Sequence, residues 1–390
     1  MLGFSMIYRL TDRFSFSPAQ IGTYLALGQF FYFLGCNLYH RFGYAYNPVR
    51  IFSAAAALVF LAALPMSFGS RALVYVSYWI LQIGAGLFWP PIMAHLTSGL
   101  NEKELNREIS YFNRSWMAGL LVGPLISGNL YNWNSSANFI VLSLSYFIAL
   151  IILLLRRRSH REEWEEPSPG QPSAASIPAA PGTASPVSEN REKSPVSKVV
   201  DKRLDNFRYR GYIGAFCSSM VMGVIINIIP LHIRDGLGYT ERLAGMILFF
   251  RCAAGFIGFS VLARFSSWHF NRRWFIILQG SFMICVLLFM TAGSNLFILT
   301  AIIFLCGFIN SSCYNNSMFY SGVTGRNPKK NMALHEIVLS MGNALGTAGG
   351  GFLYQHYNII GVCLVLFLAL VAGMGLLVFF NRKSELNPVL

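Results

Sequence analysis

The chain alternates between long apolar stretches and short polar segments, and this pattern predicts membrane-spanning helices. A helix needs about 20 residues to cross a hydrocarbon layer about 30 Å thick. Stretches of this length recur along most of the sequence. Eleven of them are predicted spans, with bounds 19–38, 49–68, 73–97, 109–131, 139–155, 212–233, 243–262, 274–292, 296–317, 335–354 and 359–380.

Composition agrees with a membrane protein. Of 390 residues, 54% are hydrophobic and only 12% are charged, which is far from the composition of a soluble domain. The seven cysteines all lie inside apolar stretches without a framework spacing, so we expect reduced core residues. The sequence therefore predicts an all-α polytopic membrane protein.

The formal net charge of +14 follows a membrane topology rather than a nucleic-acid surface. By the positive-inside rule, the loops rich in Lys and Arg are cytoplasmic, and so is the C-terminus. We expect a multi-pass protein of a bacterial inner membrane. The basic loops hold Arg41, Arg50, Lys103, Arg107, Arg156 to Arg158, Arg264, Arg272, Arg273, Arg326, Lys329 and Lys330.

One long polar segment interrupts the apolar pattern. Residues 156–207 are rich in Pro, Ser, Ala and charge and cannot form a packed core, so they predict a disordered cytoplasmic linker. Regulation through its serines is an open alternative. The linker separates an N-terminal bundle at 1–155 from a C-terminal bundle at 208–381, which a tail at 382–390 follows.

The two halves repeat each other at a constant offset of 223 residues. A register kept without a gap across five helices indicates a parallel internal duplication. Met1 then aligns with Val224, halfway along the helix that opens the second half, so we expect the first helix to be truncated and a complete chain to have twelve. The offset pairs Gly119, Gly123 and Gly128 with Gly342, Gly346 and Gly351, Asp12 with Asp235, and Arg41 with Arg264.

With these features the chain resembles the major facilitator superfamily of secondary transporters. The resemblance rests on the six-plus-six repeat, the central linker and "GLLVGPLISG", which is similar to the family's glycine-proline motif of helix five. The family's loop signature between helices two and three is only partly present. Arg41 and Gly43 match it, whereas His40 stands at the acidic position; in the second half Arg264 is kept and Ala263 replaces the acid.

The resemblance implies alternating access, in which two six-helix bundles rock about a cavity lined by helices one, four, seven and ten. In that mechanism Gly119, Gly123, Gly342 and Gly346 would let helices approach and slide, and Pro124 would bend helix five. Together with Arg41, Gly43, Arg114, Arg264 and Glu336, they form the predicted conformational set. Helix packing alone is the alternative function of the glycines.

Apart from Arg50 at the edge of the span 49–68, three charged residues lie inside the predicted helices. Arg114 is about 8 Å from the start of its helix, so it either gates or extends to the membrane surface. Arg251 lies near the middle of helix eight, where a lipid-facing charge costs several kcal/mol. It either contacts substrate or is a structural arginine satisfied by carbonyls. Glu336 either pairs with Arg41 as a lock, carries a proton, or is a helix N-terminal acid.

The predicted cavity helices supply uncharged polar and aromatic side chains. The run "GFINSSCYNNSMFY" is unusually polar for a membrane span, and its groups must be satisfied by protein, water or ligand. Hydrogen bonding between helices is the alternative to a binding wall. The predicted substrate-binding residues are Trp79, Gln82, Trp89, Asn227, Arg251, Asn310, Tyr314 and Asn315.

The sequence contains no phosphate-binding glycine loop, no metal-spaced His or Cys set and no nucleophile elbow. It therefore predicts no enzyme, no metal and no cofactor. We expect a monomeric secondary transporter for a small polar organic solute, with a proton as a candidate coupling ion. Embedded arginines without nearby acids favour an anion. The alternatives are an exporter of drug-like compounds and a non-transporting sensor or scaffold with the same fold.

Overall fold

The computed structural model describes residues 2–42, 48–96, 102–159, 195–265, 268, 270–323 and 328–386. Within these ranges it contains thirteen α-helices and one π-helical turn, His232–Gly236, and no strand. The helices are α1 (Leu2–Phe14), α2 (Pro18–Phe42), α3 (Pro48–Ala63), α4 (Pro65–Phe68), α5 (Arg71–Leu96), α6 (Glu102–Trp133), α7 (Ala137–Ser159), α8 (Pro195–Asn227), α9 (Ile229–Leu231), α10 (Glu241–Arg264), α11 (Arg272–Ala292), α12 (Leu296–Val323) and α13 (Pro328–Leu386).

The helices follow the predicted spans closely. Among the described residues, eight helical stretches are long and apolar enough to cross a membrane. The predicted spans 19–38 and 109–131 form α2 and α6, which carry more polar side chains and fall outside this set. The eight stretches are 50–68, 71–93, 137–155, 206–236, 241–264, 272–291, 296–323 and 330–380.

Two predicted spans contain helix breaks that the apolar pattern does not reveal. Pro65 begins α4 after a break at Leu64, and Pro230 lies in α9, directly after the end of α8. Proline has no backbone N–H and therefore leaves a gap in the helical hydrogen-bond ladder. In α13 the break is at Asn358, with φ 55° and ψ −166°, which separates the two predicted spans contained in that helix.

The first part of α13 packs backbone to backbone against α8 and α2. A Cβ added at Gly342 or Gly346 would collide with the carbonyl oxygens of Phe216 and Met220 in α8. A Cβ at Gly351 would lie 2.5 Å from the carbonyl oxygen of Pro18 in α2. Small residues are what allow such close helix contacts inside a membrane protein.

The predicted glycine-proline motif lies in α6, and its residues differ in how closely they pack against neighbouring helices. Pro124 lies inside α6, and its carbonyl oxygen would be 2.7 Å from a Cβ added at Gly245 of α10. Gly123 is buried. Gly119, however, is exposed, and a Cβ there would meet no atom within 4 Å. The expected close helix contact is therefore wrong at Gly119.

Contacts between the helix termini define two ends of the bundle. The Asp12 end holds Asp12, Tyr131 and Arg234, which lie in contact with one another. The Arg41 end holds Arg41 and Arg264, both of which are exposed. Of the predicted disordered linker 156–207, residues 156–159 and 195–207 are helical, at the ends of α7 and α8, and residues 160–194 lie outside the described residues. The division into two bundles and the cytoplasmic placement of the Arg41 end stay predictions.

Replacing single glycines by alanine should separate close contacts from open positions. Gly346→Ala should lower the free energy of unfolding by about 1–3 kcal/mol, because the new methyl group collides with the Met220 carbonyl. Gly119→Ala should leave stability unchanged or raise it by up to about 1 kcal/mol through helix propensity. Thermal unfolding of the purified variants in one detergent measures both. Equal melting temperatures for the two variants would contradict the close packing of α13 on α8.

Candidate functional site

Buried amides connect α6 to α12. The Asn113 side-chain Nδ2 donates to Asn315 Oδ1 at 3.2 Å, and Trp116 Nε1 donates to Asn113 Oδ1 at 3.0 Å. Asn113 and Asn315 are both completely buried. The Trp116 ring lies 5.6 Å from the ring of Tyr314, centroid to centroid. The predicted spans 296–317 and 109–131, which form α12 and α6, are thus joined through polar side chains.

A second set of polar side chains, next to these amides, joins α2 to α13. The Tyr32 hydroxyl donates to Glu336 Oε2 at 2.7 Å. His335 Nδ1 and Ser317 Oγ are 2.8 Å apart, and the Tyr314 ring packs edge-on against His335 at 4.9 Å. We refer to these connected residues as the polar centre, which comprises Tyr32, Asn113, Trp116, Tyr314, Asn315, Ser317, His335 and Glu336.

Close backbone contact brings Tyr32 to its position. A Cβ added at Gly86 of α5 would collide with the Tyr32 carbonyl oxygen, so α2 lies directly on α5 at this level. α2 also packs on α13, where Glu336 is only 6% exposed. In the described part of the chain no cation lies within ion-pair distance of Glu336. Its carboxylate is therefore held by a phenol.

Several polar atoms of the polar centre have no partner. Asn315 Nδ2 and His335 Nε2 are buried without a hydrogen bond to any described residue. Most buried polar groups in proteins are paired, and an unpaired group costs about 1–3 kcal/mol. These atoms are therefore available to water or to a polar ligand.

Arg251 in α10 is a buried cation whose contacts are sulfur atoms. Its Nη2 lies 3.0 Å from Cys252 Sγ and its Nη1 lies 3.8 Å from Met222 Sδ. Nε has no hydrogen-bond partner, and within the described residues the guanidinium forms no ion pair. The side chain is only 7% exposed. Methionine and cysteine sulfur are weak acceptors, so the charge of Arg251 is poorly compensated.

Two other buried arginines donate to backbone carbonyl oxygens. Arg9 Nη2 donates to the Ser67 carbonyl at 3.1 Å, and Arg210 Nη2 donates to the Phe380 carbonyl at 3.2 Å. Each is only 1% exposed. Sequence analysis missed both, although each lies inside or next to an apolar stretch. Arg9 Nε and both Nε and Nη1 of Arg210 are nevertheless buried without a hydrogen bond to a described residue, so each arginine is only partly satisfied. Arg251 differs from them in having no oxygen acceptor at all in the described part of the chain.

The remaining predicted binding residues are spread over several contacts. Gln82 Nε2 donates to the Tyr78 hydroxyl at 3.3 Å, and Asn227 Nδ2 donates to Thr347 Oγ1 at 2.8 Å, so Asn227 joins α8 to α13. Trp79 stacks on Phe31 at 5.1 Å, and Trp89 packs edge-on against Phe112 at 5.9 Å. Asn310 is half-buried. Only Tyr314 and Asn315 of the predicted set lie in the polar centre.

The comparisons with known proteins decide the family. The family model described as "Major Facilitator Superfamily" matches residues 1–324 and, in a second match, residues 212–389. The chain belongs to the major facilitator superfamily. This membership supports a transporter and confirms the predicted all-α polytopic membrane fold.

Among solved structures, the chain is similar to the crystal structure of the human organic anion transporter MFSD10 (TETRAN). The TM-score is 0.62 at 13% sequence identity, covering 92% of this chain and 82% of that chain. At this identity the likeness shows the fold alone. No curated protein sequence matches the chain.

The loop signature of the superfamily does not form the predicted lock. Arg41 and Arg264 are exposed, and Glu336 is bonded to Tyr32, so the predicted ion pair between Arg41 and Glu336 is wrong in this structure. Arg41 lies nine residues beyond Tyr32 in α2, about 14 Å along the helix. Gly43 and the side chain of His40 lie outside the described residues.

Arg114 interacts with its own helix. Its Nε donates to the Ser110 carbonyl at 3.3 Å, and its guanidinium lies 4.6 Å from the centre of the exposed Tyr111 ring. The side chain is half-buried. These contacts satisfy the arginine locally, and a gating function for it stays a prediction.

Sequence analysis also missed a cluster of charges that joins four elements at the Asp12 end. Arg234 Nη1 contacts Asp12 Oδ1 at 2.8 Å and Glu241 Oε1 at 3.7 Å, while its Nε contacts Asp235 Oδ1 at 2.7 Å. The Tyr131 hydroxyl donates to Asp12 Oδ2 at 2.6 Å. We call these five residues the Arg234 cluster. The repeat pairing of Asp12 with Asp235 was the signal in the sequence that pointed to it.

Removing the phenol that holds Glu336 should destabilise the protein. Tyr32→Phe leaves the buried carboxylate without its hydrogen bond, so we expect a loss of about 1–3 kcal/mol in the free energy of unfolding. Tyr111→Phe is the matched control, because Tyr111 is 54% exposed. Thermal unfolding measures both variants. If Tyr32→Phe has the same melting temperature as the control and the wild type, the contact of Tyr32 with Glu336 contributes nothing to stability.

Proposed function

We propose that the protein is a secondary active transporter that moves a small polar organic anion by alternating access, with Arg251 as the anion-binding residue. The observation that carries the proposal is the buried guanidinium of Arg251, which has only sulfur contacts. A carboxylate or phosphate on the solute would supply the missing charge-assisted hydrogen bonds. Membership of the superfamily supports transport, and the similar MFSD10 structure is that of an organic anion transporter.

The polar centre would bind the uncharged part of the solute. Gly307 of α12 contacts the backbone of Arg251, and Tyr314 lies seven residues further along the same helix. That separation is about 10 Å at 1.5 Å per residue. A solute of this length with hydroxyl or amide groups could therefore reach Arg251 and the free Nδ2 of Asn315 together.

In the same proposal, a proton is the coupling ion and Glu336 carries it. Glu336 is the carboxylate of the polar centre, and its contact with Tyr32 joins α2 to α13. A change in its protonation state would change that contact directly. The distribution of Lys and Arg supports a plasma-membrane location with the Arg41 end in the cytoplasm.

A ligand screen by thermal stability tests the anion site. Organic anions, neutral sugars and lipophilic cations are each added to the purified protein, because a ligand of the folded state raises the melting temperature by mass action. We expect an anion to be stabilising, and Arg251→Gln to weaken its binding by roughly 10- to 100-fold, as expected for the loss of charged hydrogen bonds. Arg107→Gln is the control, since Arg107 is 64% exposed.

Two other outcomes of the ligand screen would contradict the proposed anion site. Stabilisation by an anion that persists in a folded Arg251→Gln variant would assign Arg251 to structure. Stabilisation by lipophilic cations alone would favour an exporter of drug-like compounds.

A cross-link at the Asp12 end tests alternating access. The backbone N–H of Ala19 donates to Gln355 Oε1 at 3.1 Å, so α2 and α13 touch there beside the Arg234 cluster. With cysteines at 19 and 355, a short bifunctional thiol reagent should link the helices, since the seven native cysteines are buried. Uptake by proteoliposomes should fall at least tenfold after linking and recover with a cleavable reagent. Full transport by the linked protein would contradict alternating access through this end.

A further inference from the structure

A lateral groove lies between α2, α3 and α5 at the Arg41 end, and neither Arg251 nor any residue of the polar centre lines it. It encloses about 420 Å³. Its walls are almost entirely apolar, and a cation lies at one end. The residues that line it are Leu38, Tyr39, Phe42, Arg50, Ile51, Ala54 and Leu87.

The groove opens towards the outside of the bundle. Leu38 and Phe42 are 45% and 59% exposed, and Ala54 is also exposed. In a multi-pass membrane protein these outward surfaces face hydrocarbon. Arg50 is the first residue of the apolar stretch 50–68, which places it where the hydrocarbon layer meets the headgroups.

The charge of Arg50 is uncompensated by protein. Arg50 is exposed and forms no hydrogen bond or ion pair within the part of the chain that the structure describes. Arg41, at the same end of α2, is exposed as well. The groove therefore combines an apolar interior with a positive rim.

We propose that the lateral groove binds an anionic phospholipid, with the phosphate at Arg50 and an acyl chain against Ala54 and Leu87. Arginine pairs well with phosphate oxygens, and a basic residue near an anionic membrane surface contributes about 1 kcal/mol. A lipophilic cation would meet the unfavourable charge of Arg50. A water-soluble anion would leave the apolar walls unfilled.

Lipid titration with native mass spectrometry tests the proposal. Phosphatidylglycerol and phosphatidylcholine of the same chain length are added to the purified protein in detergent. Arg50→Gln should weaken phosphatidylglycerol binding about fivefold, the equivalent of 1 kcal/mol. It should weaken phosphatidylcholine binding less, because the choline cation already balances the charge of that lipid's phosphate. Ala54→Trp should fill the groove and weaken both lipids. The matched controls are Arg273→Gln and Ala372→Trp, at exposed positions outside the groove.

Three outcomes would overturn the proposal in variants whose melting temperatures match the wild type. One is equal binding of the two lipids with no effect of Arg50→Gln. Another is competition by inorganic phosphate as effective as competition by phosphatidylglycerol, which would indicate a plain anion site. The last is a lipid-free dimer that Ala54→Trp dissociates, because the occupant of the groove would then be a second copy of the chain.

Discussion

Close backbone contact of α13 with α8 and α2 at glycine positions is the constraint on which the interior depends. Gly342, Gly346 and Gly351 let the backbone of α13 touch α8 and α2. At this separation Asn227 reaches Thr347, and Tyr32 reaches Glu336. Without a hydrophobic driving force between helices, such close packing and a few interhelical hydrogen bonds hold a membrane bundle together. The glycines therefore determine both the packing and the position of the carboxylate in the polar centre.

Within this tightly packed interior, polar groups that remain unpaired are informative. Arg9 and Arg210 have carbonyl acceptors, whereas Arg251 has only sulfur contacts. The same contrast exists among amides, since Asn227 is bonded to Thr347 while Asn315 keeps a free Nδ2. An unpaired polar group in a membrane interior is costly to the fold. Its retention at the interface of α10, α12 and α6 is consistent with binding of a solute.

The sequence predicts positions along helices well and rotation about them poorly. Span lengths, the central depth of Arg251 and the polar character of α12 follow from the apolar pattern and appear in the structure. Which side of a helix meets a neighbour does not follow, because lipid-facing and protein-facing sides are both apolar. Gly119 therefore faces open space, and Glu336 meets Tyr32 instead of Arg41. The sequence shows Pro65 and Pro230, but it does not show that a helix is interrupted at each of them.

The Arg234 cluster and the polar centre both join helices of the first half of the chain to helices of the second half, but they differ in their exposure to water. The Arg234 cluster is partly exposed, with the Asp12 side chain 43% accessible, and exposed ion pairs contribute about 0–1 kcal/mol each. The contact of Asn113 with Asn315 is buried and that of Tyr32 with Glu336 is partly buried, and breaking one costs about 1–3 kcal/mol if no water replaces it. In the proposed transport cycle, opening at the Asp12 end is therefore resisted mainly by the glycine contact of α2 with α13. Separation of the polar centre instead requires entry of water or solute, and this requirement couples its opening to ligand binding.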